Sequence, residues 1–117
     1  MKRVLIVDDS AFMRLALKNV LEKNDYNVVG EAVNGVEAVK MYRELKPDIV
    51  TMDITMPDMN GVEALNAIRE VNKEATVVMI SAMGQKDHVK EAIIHGAKSF
   101  IVKPWNEETV IEVLNKI

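Results

Sequence analysis

Five short apolar runs alternate along the chain with longer segments whose apolar residues recur every three to four positions. The runs begin near residues 4, 28, 49, 76 and 99. This alternation is typical of strand–helix units, and nearly continuous apolar runs suit strands covered on both faces. We therefore predict one α/β domain over residues 1–117, with a flavodoxin-like, doubly wound (βα)5 fold and a parallel five-stranded sheet. The strand order 2-1-3-4-5 is the usual order of that fold class and does not follow from the spacing itself.

The segments between and after the runs predict five amphipathic helices, because their apolar residues fall on one side at helical spacing. For the first helix the pattern indicates a face made of Phe12, Leu15, Ala16, Asn19 and Val20. The second helix is indicated by Val36, Val39, Lys40 and Arg43 together with the apolar Ala38, Met41, Tyr42 and Leu45. The later faces comprise Val62, Leu65, Ile68 and Val71 for the third helix, Val89, Ala92 and Ile93 for the fourth, and Val110, Val113, Leu114 and Ile117 for the last.

Three helix starts are marked by asparagine. Asn34 and Asn60 each precede Gly-Val-Glu, which places a Glu three residues after a candidate N-cap, a variant of the capping box. Asn106 precedes two glutamates, an arrangement that suits the positive end of a helix dipole. Gly96 is a candidate helix stop, and Pro57 is expected to lie in a loop.

The composition excludes several classes of function. The chain has no Cys, which rules out disulfides, thiolate metal sites and thiol nucleophiles. Its net charge is −3 without a basic stripe, so we expect no direct nucleic-acid partner. The apolar runs are shorter than the roughly 18 residues of a membrane span. Asp8 and Asp9 interrupt the first run too early for a signal peptide. We expect a soluble, monomeric protein of the cytoplasm with no membrane partner.

Four of the runs end directly at polar residues. The first run ends at Asp8 and Asp9, the third at Asp53, the fourth at Ser81 and the fifth at Lys103. The ends of parallel strands share one edge of a sheet, and in the predicted order the first and third strands are neighbours about 4.8 Å apart. The sequence therefore predicts three carboxylates, a hydroxyl and an ammonium group in one crevice.

Three bare carboxylates in one crevice require a cation. At about 5 Å each pair repels by about 3 kcal/mol at an effective dielectric near 20. Oxygen ligands without Cys or His suit Mg²⁺, Mn²⁺ or Ca²⁺, and an open site with few protein ligands favours Mg²⁺. Asp53 is then a candidate nucleophile that forms an aspartyl phosphate, with Lys103 and Ser81 available to the phosphoryl oxygens.

Each of these residues also has an ordinary structural interpretation. Asp8 and Asp9 could cap a helix that begins near Ser10, Ser81 could be a turn residue, and Lys103 could be a solvated lysine. Each interpretation is reasonable alone. Their joint occurrence, each at the end of a separate run, favours a functional site.

The segments around these residues resemble the response-regulator receiver domain over essentially the whole chain, and within that family chemotaxis regulators of the CheY type. The matching segments are Val7-Asp8-Asp9-Ser10, Asp53-Ile54-Thr55-Met56-Pro57-Asp58-Met59-Asn60-Gly61, Ser81-Ala82 and Lys103-Pro104. The resemblance implies that Asp53 accepts a phosphoryl group from the phosphohistidine of a partner kinase. It also implies that Asp9, Asp53 and the backbone carbonyl of Thr55 bind Mg²⁺ directly, with Asp8 acting mostly through water.

The same resemblance implies further roles near the end of the chain. Lys103 would contact the phosphoryl group, and the Lys103–Pro104 peptide bond would be cis. Ser81 would couple phosphorylation to Phe100, whose ring would turn inward as the hydroxyl moves. Chemotaxis regulators often have Tyr at the position of Phe100, so a role that needs a phenolic hydroxyl is absent here.

The implied function is a phosphorylation-activated response regulator. Its partners would be a sensor histidine kinase of the chemotaxis CheA type and, as output, a flagellar motor switch protein or a phosphatase. The output surface would comprise helix 4, strand 5 and helix 5, roughly residues 86–117. The protein would not be an enzyme, beyond catalysing its own phosphorylation and dephosphorylation.

Three alternatives remain at this point. The chain could be the receiver of a larger regulator or of a phosphorelay. It could be a Mg²⁺-dependent phosphohydrolase of the haloacid dehalogenase type, but that family needs a second Asp two residues after the nucleophile, where this chain has Thr55. It could be a phosphate-independent interaction module, which the intact acidic, hydroxyl and lysine positions disfavour.

Overall fold

The computed structural model describes residues 1–56 and 59–117, so the predicted loop residue Pro57 and its neighbour Asp58 lie outside the described residues. Five strands and five helices alternate strictly within the described part. The strands are β1 Arg3–Val7, β2 Asn27–Ala32, β3 Ile49–Asp53, β4 Val77–Ser81 and β5 Ser99–Val102. The helices are α1 Ala11–Lys23, α2 Gly35–Leu45, α3 Gly61–Val71, α4 Lys86–Ile94 and α5 Glu107–Asn115.

All five strands pair in parallel in the order β2-β1-β3-β4-β5, which confirms the predicted fold class. The strand order reverses between β1 and β3, where Val7 pairs with Met52. Crevices at such reversals, beyond the carboxyl ends of the strands, are where folds of this class bind ligands.

The sheet separates two apolar layers, because successive strand residues point to opposite faces. One layer contains the inward faces of α2 and α3 and residues such as Leu5, Val50 and Met52. The other contains α1, α5 and residues such as Ile6 and Ile49. Burial on both faces explains why the strands are apolar without the alternation of a half-exposed sheet.

The predicted core face of α1 was wrong. Phe12 and Leu15 are 77% and 57% exposed, whereas Leu17 and Leu21 are buried in the layer that contains α5. The helix carries two overlapping apolar stripes, and the stripe with Leu17 and Leu21 is the one that packs against β1 and the last helix. Val20 lies at the edge of that stripe and is partly buried.

The predicted helix ends are confirmed. Asn34, Asn60 and Asn106 each accept a hydrogen bond from the backbone N–H three residues later. At Asn60 the capping box is complete, because Glu63 also accepts from the backbone N–H of Asn60. Gly96 follows the end of α4 with a φ of +103°, the left-handed conformation that glycine adopts most readily.

Candidate functional site

The carboxyl ends of β1, β3, β4 and β5 bring the predicted residues to one edge of the sheet. Asp53 is the last residue of β3 and pairs with Ile80, next to Ser81. Asp8 directly follows β1, whose last residue pairs with the neighbour of Asp53. Ser81 pairs with Val102, and its carbonyl accepts a hydrogen bond from the backbone N–H of Lys103 at 2.7 Å. The pairing of neighbouring strands therefore places the four residues around one crevice.

The three carboxylates form a compact group. Asp8, Asp9 and Asp53 each offer an oxygen, and these oxygens lie within 4.8 Å of one another. A six-coordinate Mg²⁺ with ligands at about 2.1 Å separates opposite oxygens by about 4.2 Å, so the size and chemistry of the group fit Mg²⁺. Asp8 and Asp53 are buried, whereas Asp9 is exposed and leaves the group open to solvent on one side.

Lys103 reaches into this group and contacts the two buried acids. Its ammonium lies 3.2 Å from Asp8 Oδ2 and 3.4 Å from Asp53 Oδ2, while 23% of its side chain is exposed. It therefore neutralises part of the charge of two carboxylates that have little access to water. The same ammonium is placed to contact any anionic group attached to Asp53.

Burial and neighbouring charges shift two pKa values at the site. Burial raises the pKa of the Asp53 carboxyl above its ordinary value; the charge of Asp8 adds to the rise, while Lys103 and the backbone N–H of Thr55 oppose it. Burial acts to lower the pKa of Lys103, but the charges of Asp53 and Asp8 outweigh it, so that pKa is raised. Because its pKa is raised, Lys103 stays charged close to neutral pH, in contact with Asp8 and Asp53.

The segment after β1 has a structural role as well. Asp8 Oδ1 accepts a hydrogen bond from the backbone N–H of Ser10 at 2.9 Å, and Ser10 in turn is the N-cap of α1. Arg14 donates to the carbonyl of Asp8 at 2.7 Å and pairs with Glu31 at 3.2 Å. The role of Arg14 was not predicted from the sequence, because this residue shares the side of α1 with Leu17 and Leu21, which is not the predicted face.

Gly61 is a second residue whose role the sequence analysis missed. Its backbone N–H donates to the carbonyl of Ile54 at 2.8 Å. A Cβ at this position would clash with the carbonyl oxygen of Asp53 and approach Ile54 Cα. Glycine therefore lets the start of α3 lie directly against the backbone that carries Asp53. Its place after Asn60 in the sequence predicts a helix start but does not reveal this close approach.

Ser81 and Phe100 lie on the far side of the site from Asp9. Ser81 is 1% exposed, whereas Phe100 on β5 is 43% exposed and pairs with Met79. Both line a cavity of about 730 Å³ between β4, β5 and α4. The Lys103–Pro104 peptide bond is cis, as the resemblance implied. Trp105 is partly buried against the α1–α5 layer.

Comparison with known proteins decides the family. The model of the response regulator receiver domain matches residues 4–115. The chain belongs to this family. It is 59% identical to the chemotaxis protein CheY of Thermotoga maritima over 116 residues, which cover 99% of this chain and 97% of the relative. It is 54% identical to CheY of Bacillus subtilis over 114 residues, covering 97% of this chain and 95% of the relative.

A solved structure supports the same assignment. The receiver fold of this chain matches the crystal structure of a CheX–CheY–BeF3–Mg²⁺ complex from Borrelia burgdorferi with a TM-score of 0.94 and 43% identity. The match covers 98% of this chain and 87% of the solved chain. Within the described residues, none of the helices is long and apolar enough to cross a membrane.

Proposed function

We propose that the chain is a phosphorylation-activated response regulator of chemotaxis whose Asp53 accepts a phosphoryl group from a histidine kinase of the CheA type. The observation that carries this proposal is the position of Asp53, with Lys103 on one side and two further carboxylates on the other. The high identity to CheY proteins across nearly the whole chain supports chemotaxis as the pathway.

The chemistry is a transfer between two side chains. An oxygen of the Asp53 carboxylate forms a bond to phosphorus, the bond from phosphorus to the imidazole nitrogen of the kinase breaks, and that imidazole keeps the electron pair. Lys103 neutralises charge on the phosphoryl oxygens, which is the main requirement of phosphoryl transfer. Mg²⁺ held by Asp9, Asp53 and the Thr55 carbonyl, with Asp8 acting through water, would add positive charge at the same oxygens.

The arrangement suits a switch better than a turnover enzyme. The family match supports a role in signalling and gives no support to a phosphohydrolase. Thr55 stands two residues after Asp53, where the phosphohydrolase chemistry needs a second acid. Self-catalysed phosphorylation and dephosphorylation at Asp53 complete the proposed cycle.

The proposed output surface comprises α4, β5 and α5. It carries a group of exposed apolar side chains: Ile94 is 81% exposed, and Ile93, Phe100 and Val102 are each at least 40% exposed. Exposed apolar groups of this kind are typical of protein interaction sites. Ser81 and Phe100 line the same cavity, so a movement of Ser81 toward a phosphoryl group would change the space available to the ring. A flagellar motor switch protein or a phosphatase is the proposed partner, in keeping with the CheX-bound relative.

Intact-mass measurement after incubation with acetyl phosphate and Mg²⁺ tests the proposal. The mass of the wild-type chain should rise by one phosphate, and Asp53→Asn should abolish the rise. The same labelling in Asp53→Asn would show that the acceptor is a different residue. Many turnovers of small phosphates without stable labelling would indicate an enzyme instead.

A further inference from the structure

The side chain of Gln85 bridges two loops at the mouth of the acidic site. Its Oε1 accepts a hydrogen bond from the backbone N–H of Ala82 at 2.7 Å. Its Nε2 donates to Thr55 Oγ1 at 2.6 Å. Ala82 follows β4 and Thr55 follows β3, so one amide joins the β4–α4 loop to the segment after Asp53.

The amide has one orientation that satisfies both partners. A backbone N–H can only donate, so the oxygen of Gln85 must face Ala82, and the amide nitrogen then faces a hydroxyl that can accept. Gln85 is also the N-cap residue of α4, yet it makes no capping hydrogen bond to that helix. Its side chain is used for the bridge instead of for the helix end.

The bridge completes a chain of contacts around the phosphoacceptor. The backbone N–H of Thr55 interacts with the Asp53 carboxylate and lowers its pKa, while the hydroxyl of Thr55 binds Gln85. Gln85 binds Ala82, the residue directly after Ser81. The two ends of this chain are therefore Asp53 and Ser81, the residues that the proposed function assigns to phosphoryl acceptance and to switching.

Asp53 is only 7% exposed, which limits the room for a group attached to it. A phosphoryl group is larger than the carboxylate oxygens it covers and brings three acceptor oxygens and about −1.5 to −2 charges. Asp8, Asp53 and Ser81 are buried at the edge of the sheet, so a phosphoryl group on Asp53 has to lie on the outer side of the site. That side is bounded by the exposed Asp9 and by the loops after β3 and β4. Those are the loops that Gln85 holds together.

We propose that Gln85 is a positioning residue of the acidic site. Its amide bridge between Thr55 and Ala82, the Gln85 clasp, favours the unphosphorylated arrangement and is released when Asp53 is phosphorylated. The proposal rests on the proposed function of Asp53. A contact that exists in only one of two states shifts the equilibrium by its own free energy. Loss of the clasp should therefore raise the affinity for a phosphoryl mimic about fivefold, the effect of one net hydrogen bond.

Matched variants separate the clasp from a general structural effect. Gln85→Asn keeps the amide but is one methylene too short to join both loops, and Gln85→Leu keeps the size without the hydrogen bonds. Asn is a favoured N-cap residue, so Gln85→Asn should not weaken α4. Gln85→Glu keeps an acceptor for Ala82 and lets the Thr55 hydroxyl donate, while it adds a negative charge near the site.

The experiment is a titration with beryllofluoride in the presence of Mg²⁺, in which calorimetry measures the affinity. Gln85→Asn and Gln85→Leu should both bind about fivefold more tightly than the wild-type chain, and Gln85→Glu should bind more weakly. Amide hydrogen exchange without metal gives an independent readout. The Ala82 N–H should be protected in the wild-type chain and in Gln85→Glu, and should exchange faster in the other two variants.

The outcomes distinguish this proposal from the proposed function. If the wild-type chain binds beryllofluoride and all Gln85 variants bind it equally well, the clasp does not oppose phosphorylation. If Ala82 exchanges equally fast in all four proteins, the clasp does not form in solution. If the wild-type chain neither binds beryllofluoride nor is labelled at Asp53, the proposed function fails and this proposal fails with it.

Discussion

Replacing Lys103 with Met should destabilise the metal-free protein strongly, because it leaves two buried carboxylates without a cation. The Lys103 ammonium lies 3.2 Å from Asp8 and 3.4 Å from Asp53. At an effective dielectric near 20, each of these pairs attracts by about 5 kcal/mol before the cost of removing the charges from water is counted. Removal of one partner from a buried ion pair typically costs about 3–5 kcal/mol.

The lower end of that range applies here, since 23% of the Lys103 side chain remains exposed and water screens the pair. We therefore expect Lys103→Met to lower the free energy of unfolding by about 3 kcal/mol. At roughly 4 °C per kcal/mol for a domain of this size, the Tm should fall by about 12 °C. Methionine preserves the length of the aliphatic stem, so little of the loss should come from packing.

Thermal melting in EDTA and in millimolar Mg²⁺ is the assay, with Lys98→Met as the control because Lys98 is an exposed lysine on the same segment of the chain. Lys98→Met should leave the Tm nearly unchanged. Added Mg²⁺ should reduce the deficit of Lys103→Met, since a cation among the carboxylates replaces part of the lost charge. A Tm for Lys103→Met in EDTA that equals that of Lys98→Met would refute the electrostatic argument.

Three further changes test other parts of the structure. Thr51→Val should stabilise the fold by about 1 kcal/mol, because the buried Thr51 hydroxyl has no hydrogen-bond partner among the described residues; an unchanged urea midpoint would contradict this. Gly61→Ala should lower both the Tm and acetyl phosphate labelling, because its Cβ would meet the Asp53 carbonyl; wild-type values for both would contradict the close approach. Burial raises the pKa of the Tyr26 hydroxyl above its ordinary value of 10.0. The contribution of Tyr26 to the stability of the fold is therefore complete below that pH and is lost as the pH rises through the folded-state pKa. Between pH 8 and 12 the Tm of the wild-type chain should therefore fall more steeply than that of Tyr26→Phe. Parallel Tm curves would show that Tyr26 does not contribute to the loss of stability at high pH.

The strand-end residues could be predicted because their positions follow from local order in the chain. A parallel sheet brings the ends of successive strands to one edge, so Asp8, Asp53, Ser81 and Lys103 could be grouped without knowledge of any contact. The contacts of Gln85 could not be predicted in the same way. They depend on how two loops approach each other, and neither loop has a periodic pattern.

The error in α1 has a different physical origin. Phe12 and Leu15 form one apolar stripe, and Leu17 and Leu21 form another that is rotated around the same helix. Periodicity shows that a helix has apolar sides, but the choice of the buried side depends on the sheet and helix it packs against. The exposed stripe contributes nothing to the core, so hydrophobicity alone pointed to the wrong side.

The burial of Asp53 and the charge beside it have a cost for the stability of the fold. Burial and the charge of Asp8 raise the pKa of Asp53, so its ionised form is less favourable in the folded chain than in the unfolded chain. The resulting loss of stability is absent below the ordinary pKa of an aspartate and develops fully as pH rises through the raised pKa. Lys103 opposes this loss but is shared with Asp8. When the three clustered acids are ionised, a single lysine leaves a net negative charge at the strand ends, and that unbalanced charge favours a bound cation.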